Sequence, residues 1–421
     1  NTTNFTSLVK TNTNIIIDCS NWEMSQADNI QGVFASCGNL NPDVTNWDIS
    51  SNCTNIGSGF STLPNFERNL SNWDVSGVNN MSATFISCTS FTGQGLDTWV
   101  TSSLTNLLGT FTNCTSLTTV SLSSWDVSGV TTMSRTFENC SNFLGNGLQN
   151  WTTTSNLTVL DSVFQSCTSL TTVNLSSWDV SGVTRMISAF IGCTNFEGNG
   201  LDSWNTSSLV LISSTFKACN NFNKNLSSWD VSGVTSMREG FQGTSIFEGN
   251  GLDTWVTSSL TNLEFAFQNA FSFNQDLSGW DFSNVTVMRD WGLFWGMDTN
   301  NYDKLLLSLS TQSLNSNLTQ VSMSSKYTAG EVANGVTDGA NTNKLIDSTQ
   351  NFTATVNVGD IIKRASNYAE VLTVDSNTEL TLDANIMVSG NTYSVEGSNV
   401  AKARYFVVKT YNWQIIDNGQ A

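Results

Sequence analysis

The chain has 421 residues, with 16 Lys plus Arg against 34 Asp plus Glu, no His, two Pro, nine Cys and fourteen Trp. A formal charge of −18 repels nucleic-acid phosphates, the lack of His excludes His-based triads, His–metal sites and imidazole proton shuttles, and no apolar run reaches the roughly 18 residues that would span a membrane. Apolar residues at 39% and charged ones at 12% are too apolar a mixture for disorder, so ordered structure has to bury these side chains.

Along the chain, tryptophans fall at Trp22, Trp47, Trp73, Trp99, Trp125, Trp151, Trp178, Trp204, Trp229, Trp255 and Trp280, with steps of 25, 26, 26, 26, 26, 27, 26, 25, 26 and 25 residues. A fixed period predicts stacked coils, because a single coil cannot bury its own apolar face. The expected architecture is therefore a repeat solenoid of about eleven coils, in which each recurring position forms a ladder. Trp73, Trp125, Trp178 and Trp229 belong to one column, and Phe85, Phe137, Phe190 and Phe241, twelve residues later, to another. Leu stands three residues before most Trp, as at Leu96, Leu122 and Leu148.

Cys88, Cys114, Cys140, Cys167, Cys193 and Cys219 share one column, in which Thr62, Thr244 and Ala270 are expected to take the equivalent place. Exchange with Thr and Ala marks a small buried residue, and nine thiols cannot all pair, so packing and not disulfide chemistry is predicted. No C-x-x-C pair suggests zinc. From Trp73 onward two coil types alternate, one reading W-D-V-S-G-V and ending in a glycine pair such as Gly93 with Gly95 or Gly145 with Gly147. These pairs are expected to supply positive φ at one corner of every second coil.

Directly after Trp lie Asp74, Asp126, Asp179 and Asp230, separated by two coils or about 10 Å at strand-like spacing. An Asx hydrogen bond capping the turn is the expected role, with a calcium or sugar-binding stripe as the alternative and no other cofactor implied. A carboxylate on every other coil is a repeat and not a unique catalytic pair, which argues against glycoside hydrolysis and for a protein that is not an enzyme. The N-x-S/T sequons, as at Asn69 and Asn113, follow from composition.

The string L-S-S-W-D-V-S-G-V-T-x-M-x-x-x-F-x-x-C-x-x-F, from Leu122 to Phe143 and again from Leu175 to Phe196, resembles the BspA-like surface-protein repeats, which are leucine-rich-repeat relatives. The resemblance extends to a C-terminal cap with Tyr302-Asp303-Lys304-Leu305-Leu306, Ser325-Lys326-Tyr327 and Trp413 through Gly419, and it implies a helix over the first of these motifs. Strand-like runs at 344–346, 360–362, 370–374, 379–382 and 393–395 interrupt the cap and are separated by turn signals. Its phrases N-K-L-I-D-S-T-Q-N-F and G-N-T-Y resemble a module of marine tailed-phage structural proteins. The reading is thus a leucine-rich-repeat-like solenoid at 1–299, an α/β C-terminal cap at 300–333 and 400–421, and a small inserted all-β domain at 334–399, with the helix resuming near Val400.

Residues 300–421 hold 8 basic and 11 acidic groups, so 8 − 11 = −3, leaving 8 − 23 = −15 on the repeats. A chain starting at Asn1 without Met is expected to be a mature or excised piece. Trp291 and Trp295, beside Asp290 and Asp298 where the repeat gives way to the cap, are expected to seal the core, with a sugar-stacking platform as the alternative. The expected function is extracellular recognition or adhesion on a phage virion, as a receptor-binding fibre or capsid-attached adhesin that meets a host surface glycan or protein. Other virion proteins and further copies of the chain are the expected partners, without nucleic acid or membrane insertion. The alternatives are a decoration or fibre subunit that stabilises the virion and a bacterial cell-surface adhesin.

Overall fold

In the computed structural model the chain divides into two compact units, Asn1–Phe273 and Asn274–Ala421. The residues described are 4–9, 17–118, 120–316, 318, 321–325, 331–337, 339–341, 343–364, 367–377, 379–384, 386, 392–411 and 413–417. Gly419, at the end of the cap motif, lies outside them, as do Lys326 and Tyr327 of the S-K-Y motif.

In the first unit, residues one period apart pair in parallel, from Asn4 with Asn29 through Asn29 with Asn55 to Ser236 with Asn262. The hydrogen bonding between neighbouring coils follows a two-residue alternation. The amides of Met81, Ala83, Phe85 and Ser87 donate to the carbonyls of Asn106, Leu108, Thr110 and Thr112 in the next coil, at 2.7–3.0 Å. The alternate amides, Thr84, Ile86 and then Cys88, donate three residues back within their own coil. This alternation makes stacked turns, not continuous strands, and it requires left-handed backbone twice per coil. Ala83 and Ser87, for example, have φ of 55° and 60°.

Ring columns fill the interior. Trp22, Trp47, Trp73, Trp99, Trp125, Trp151 and Trp178 stack in sequence with centroids 5.9–6.2 Å apart and planes within 14°. The Phe column runs beside it, with Phe85, Phe111, Phe137 and Phe164 at 5.6–5.7 Å. Offset stacking of this kind adds about 0.5–1.5 kcal/mol per pair beyond the buried area.

Both members of each glycine pair have positive φ, 78° at Gly145 and 92° at Gly147, and each second glycine opens a one-turn 3-10 helix such as Leu148–Asn150. The Cys column is corrected at one place. The coil beginning at Trp47 holds an extra residue, so Thr62 is exposed in the left-handed position (φ 61°) and Leu63, fully buried, fills the place the thiols take elsewhere.

The second unit begins with the Trp280 coil and continues into α1 (Thr299–Thr311), whose N-cap Asp298 accepts from the Asn301 amide at 2.9 Å. Its buried face, Tyr302, Leu305, Leu306 and Leu309, has the spacing of an amphipathic helix. Strand β1 (Ser322–Ser325) pairs in parallel with the last strand, β9 (Gln414–Asp417). Between them lie β2 (Glu331–Val336), β3 (Gly339–Asn341), β4 (Lys344–Ile346), the short helix α2 (Phe352–Thr355), β5 (Ile361–Arg364), β6 (Asn367–Ser376), β7 (Glu379–Leu382), β8 (Thr392–Glu396) and α3 (Asn399–Tyr411).

Seven of these strands form an antiparallel sheet in the order β2-β8-β5-β6-β7-β4-β3. The sheet begins at Glu331, three residues before the predicted start of the insert at 334, because β2 pairs with β8. Its core gathers Leu345, Phe352, Ile362, Val371, Leu380 and Val395. The buried Asp347 carboxylate is satisfied by the Tyr393 hydroxyl at 2.8 Å and by the amide and hydroxyl of Thr349.

Candidate recognition surface

What the first unit can offer a partner depends on which polar groups its interior has already claimed. Each indole N–H from Trp99 to Trp255 donates to the carbonyl of the ladder Leu one coil back, at 2.8–3.1 Å. The buried Trp therefore brings a donor that Phe lacks, and the Leu three residues before each Trp leads the next coil's indole to its acceptor. Cys88, Cys114, Cys140, Cys167, Cys193 and Cys219 donate their thiols to the Phe-column carbonyl of the preceding coil at 2.8–3.0 Å. Thr84, Thr110, Thr136 and Thr215 place buried hydroxyls against carbonyls of their own and the preceding coil. All nine cysteines are free and buried, and burial pushes the Cys88 and Cys193 thiols up to about 12.

On the outside, the position after Trp forms a stripe. Asp74, Asp126, Asp179 and Asp230 each accept, through Oδ1, from the amide of the serine two residues on, at 2.9–3.0 Å. The serine hydroxyl and amide hold Asp74, Asp126 and Asp230 below the usual carboxylate range. Alternate coils put Val100, Thr152, Asn205 and Val256 there, and the two valines are 56% and 59% exposed. The carboxylates stay apart instead of converging, and among the described residues no three acidic or thiol groups are placed to hold a metal ion. The calcium alternative for Asp74, Asp126, Asp179 and Asp230 lacks a ligand set for that reason.

The sugar-platform alternative for Trp291 and Trp295 is overturned by burial. Trp291 is fully buried and Trp295 is 6% exposed, their rings meeting edge-on with centroids 5.0 Å apart. Gly292 gives Trp295 its room, since a Cβ there would come within 2.6 Å of the ring. Neither indole has a face left for a sugar.

A surface row that the columns did not suggest is the exposed threonine series Thr105, Thr131, Thr158 and Thr184. Each hydroxyl donates to a carbonyl of the previous coil at 3.0–3.4 Å, leaving its methyl outward. The recurrent Thr six or seven residues after Trp is the sequence signal that points to it.

These features define a protein of stacked repeat coils with a closed interior and a periodic outer stripe, joined in one chain to an α/β unit. The family model described as "Mycoplasma protein of unknown function, DUF285" matches residues 3–120, 105–210 and 184–305, together 303 of 421 residues, and the chain belongs to that family. It is a repeat family related to the BspA-like surface repeat proteins. No curated protein and no solved structure matches the chain.

Proposed function

We propose that the chain is a non-catalytic, surface-exposed recognition protein, a leucine-rich-repeat-like solenoid with an α/β cap and an inserted β-module, that meets a host glycan or protein. The observation that carries this reading is the closed interior. The indole, thiol and buried hydroxyl groups of the ladders are spent on coil carbonyls, so the chemistry left for a partner is the outer stripe of Asp74, Val100, Asp126 and Thr152 and their counterparts. A stripe alternating carboxylates with uncharged side chains, valine, threonine or asparagine, suits an extended partner that is gripped weakly at many points. Repeat folds serve many roles, so the function rests on that surface and not on the fold.

The kinship with BspA-like surface repeats supports display on a cell envelope. The phrases of the inserted module support the narrower reading, display on a tailed-phage virion, where other virion proteins and further copies are the partners. Binding of the purified chain to a glycan array and to intact bacterial cells tests recognition. Saturable binding to one of them is expected, and none to either sinks the reading. Tail or capsid genes beside this one decide for the virion, and a lipoprotein signal upstream in the same gene decides for the envelope.

A further inference from the structure

The second unit contains a cavity of about 510 Å³ between helix α3, the turn leading into β5 and the adjoining strands β5 and β6, a volume inside the ~300–1,000 Å³ range of small-molecule sites. One wall is a single face of α3, with Lys402, Tyr405, Phe406 and Lys409 at i, i+3, i+4 and i+7. The other side carries Val358 and Glu370. Both lysines are engaged within the fold. Lys402 pairs with the Asp360 carboxylate at 2.9 Å, and Lys409 and the Tyr405 hydroxyl both donate to Asp383. Glu370 uses only its backbone, receiving the Asp383 amide and donating to the Asp383 carboxylate, and its own carboxylate has no hydrogen-bond or ion-pair partner among the described residues. Two apolar side chains stay open, Phe406 at 41% and Val358 at 63% exposed.

This set excludes ligands by charge. Asp360 and Asp383 neutralise the two lysines from behind the wall, and Glu370 adds an open carboxylate, which together disfavour a phosphate, a nucleotide or an acidic sugar. A cation finds only the one carboxylate of Glu370 on the lining, since Asp360 and Asp383 are taken up by the lysines. What remains is an uncharged ligand with an apolar face for Phe406 and Val358 and hydroxyls to donate to Glu370, which is the chemistry of a pyranose ring. We infer that this cavity binds one uncharged sugar ring of a host glycan. The inference rests on the recognition reading above and adds to it a place and a ligand class.

Saturation-transfer NMR on the full chain, with methyl hexopyranosides and methyl N-acetylhexosaminides as probes and a methyl sialoside and choline as charged comparators, tests it. Transfer is expected from at least one neutral ring. Phe406→Ala, which removes the apolar face, and Glu370→Gln, which removes the charge from the acceptor, are each expected to weaken it about tenfold. Phe406→Leu, which keeps the apolar bulk and removes the aromatic face, serves if the Ala variant melts early. No transfer from any neutral ring, transfer unaltered in the folded variants, or stronger binding of a charged comparator overturns the inference. Cell binding by a chain that takes up no neutral sugar sinks the cavity alone, whereas sugar uptake without cell or array binding sinks the adhesion reading and leaves the cavity standing.

Discussion

At the scale of single residues, each ladder side chain does two things at once. Trp125 stacks on Trp99 and Trp151 and donates to Leu96, and Cys140 fills a gap while its thiol meets the Phe111 carbonyl. A buried donor matters because an unmatched carbonyl costs about 1–3 kcal/mol in the interior. The thiols have a direct chemical consequence. Burial raises Cys19 and Cys53 to about 11 and Cys88 and Cys193 to about 12, and the thiolate is the reactive form. Iodoacetamide at pH 8 should leave the buried thiols of the native chain unlabelled, while all nine become labelled after denaturation, as read by intact mass. Rapid native labelling of Cys140 or Cys167 would show that the column is open to solvent.

At the scale of the coil, backbone conformation separates replaceable residues from irreplaceable ones. Gly147 combines φ of 92° with a neighbour so close that a Cβ would lie 2.4 Å from the Ser123 amide nitrogen. Gly147→Ala should destabilise by at least about 1–2 kcal/mol. Thr62 is the opposite case, a β-branched residue in the left-handed region, where Asn113 and Asn139 stand in later coils. Thr62→Asn should stabilise by up to about 1 kcal/mol, since Asn tolerates that region and Thr does not. Urea unfolding of both variants checks the pair, and shifts of the same sign would refute the assignment. Asn69 shows how far an element can be read in advance. It looks like a glycosylation signal, yet in the fold its Oδ1 accepts from the Ser71 amide.

For the whole molecule, charge dominates. Arg185, Lys217 and Arg238, three of the eight basic residues on the repeats, are spent on Asp161, Glu239 and Glu264, and with 23 acidic residues there the repeats stay acidic. Without His, the chain lacks the one side chain whose ordinary pKa lies between about pH 5 and 8. Below that range the sign is set by Asp74, Asp126, Asp230 and Asp281, whose carboxyls the serine hydroxyl and amide hold low. A carboxyl lowered in the folded state adds stability that is complete above its unfolded pKa, about 3.9, and is lost as pH falls through the folded value. The melting temperature should therefore be level from pH 8 to 5 and drop below about pH 4. A clear step near pH 6.5 would contradict it.

The sequence by itself determined the period, the identity of each column and the alternation of two coil types, because stacking copies a spacing and a spacing is written in the residue numbers. The five strand-like runs of the insert were also legible, since alternation is local, and the helix at Tyr302 was expected from the family resemblance. Tertiary structure decided the rest. Strand β2, whose residues Glu331 to Val336 show no marked alternation, is a strand because β8 offers it a ladder. The exchange of Thr62 for Leu63 in the Cys column depended on how an inserted residue was absorbed. Trp291 and Trp295, expected to plug the core with a platform as the alternative, are buried with their rings edge to face. The cavity on α3 depends on where Asp360 and Asp383 sit relative to Lys402 and Lys409, and groups so far apart along the chain are brought together only by the sheet between them.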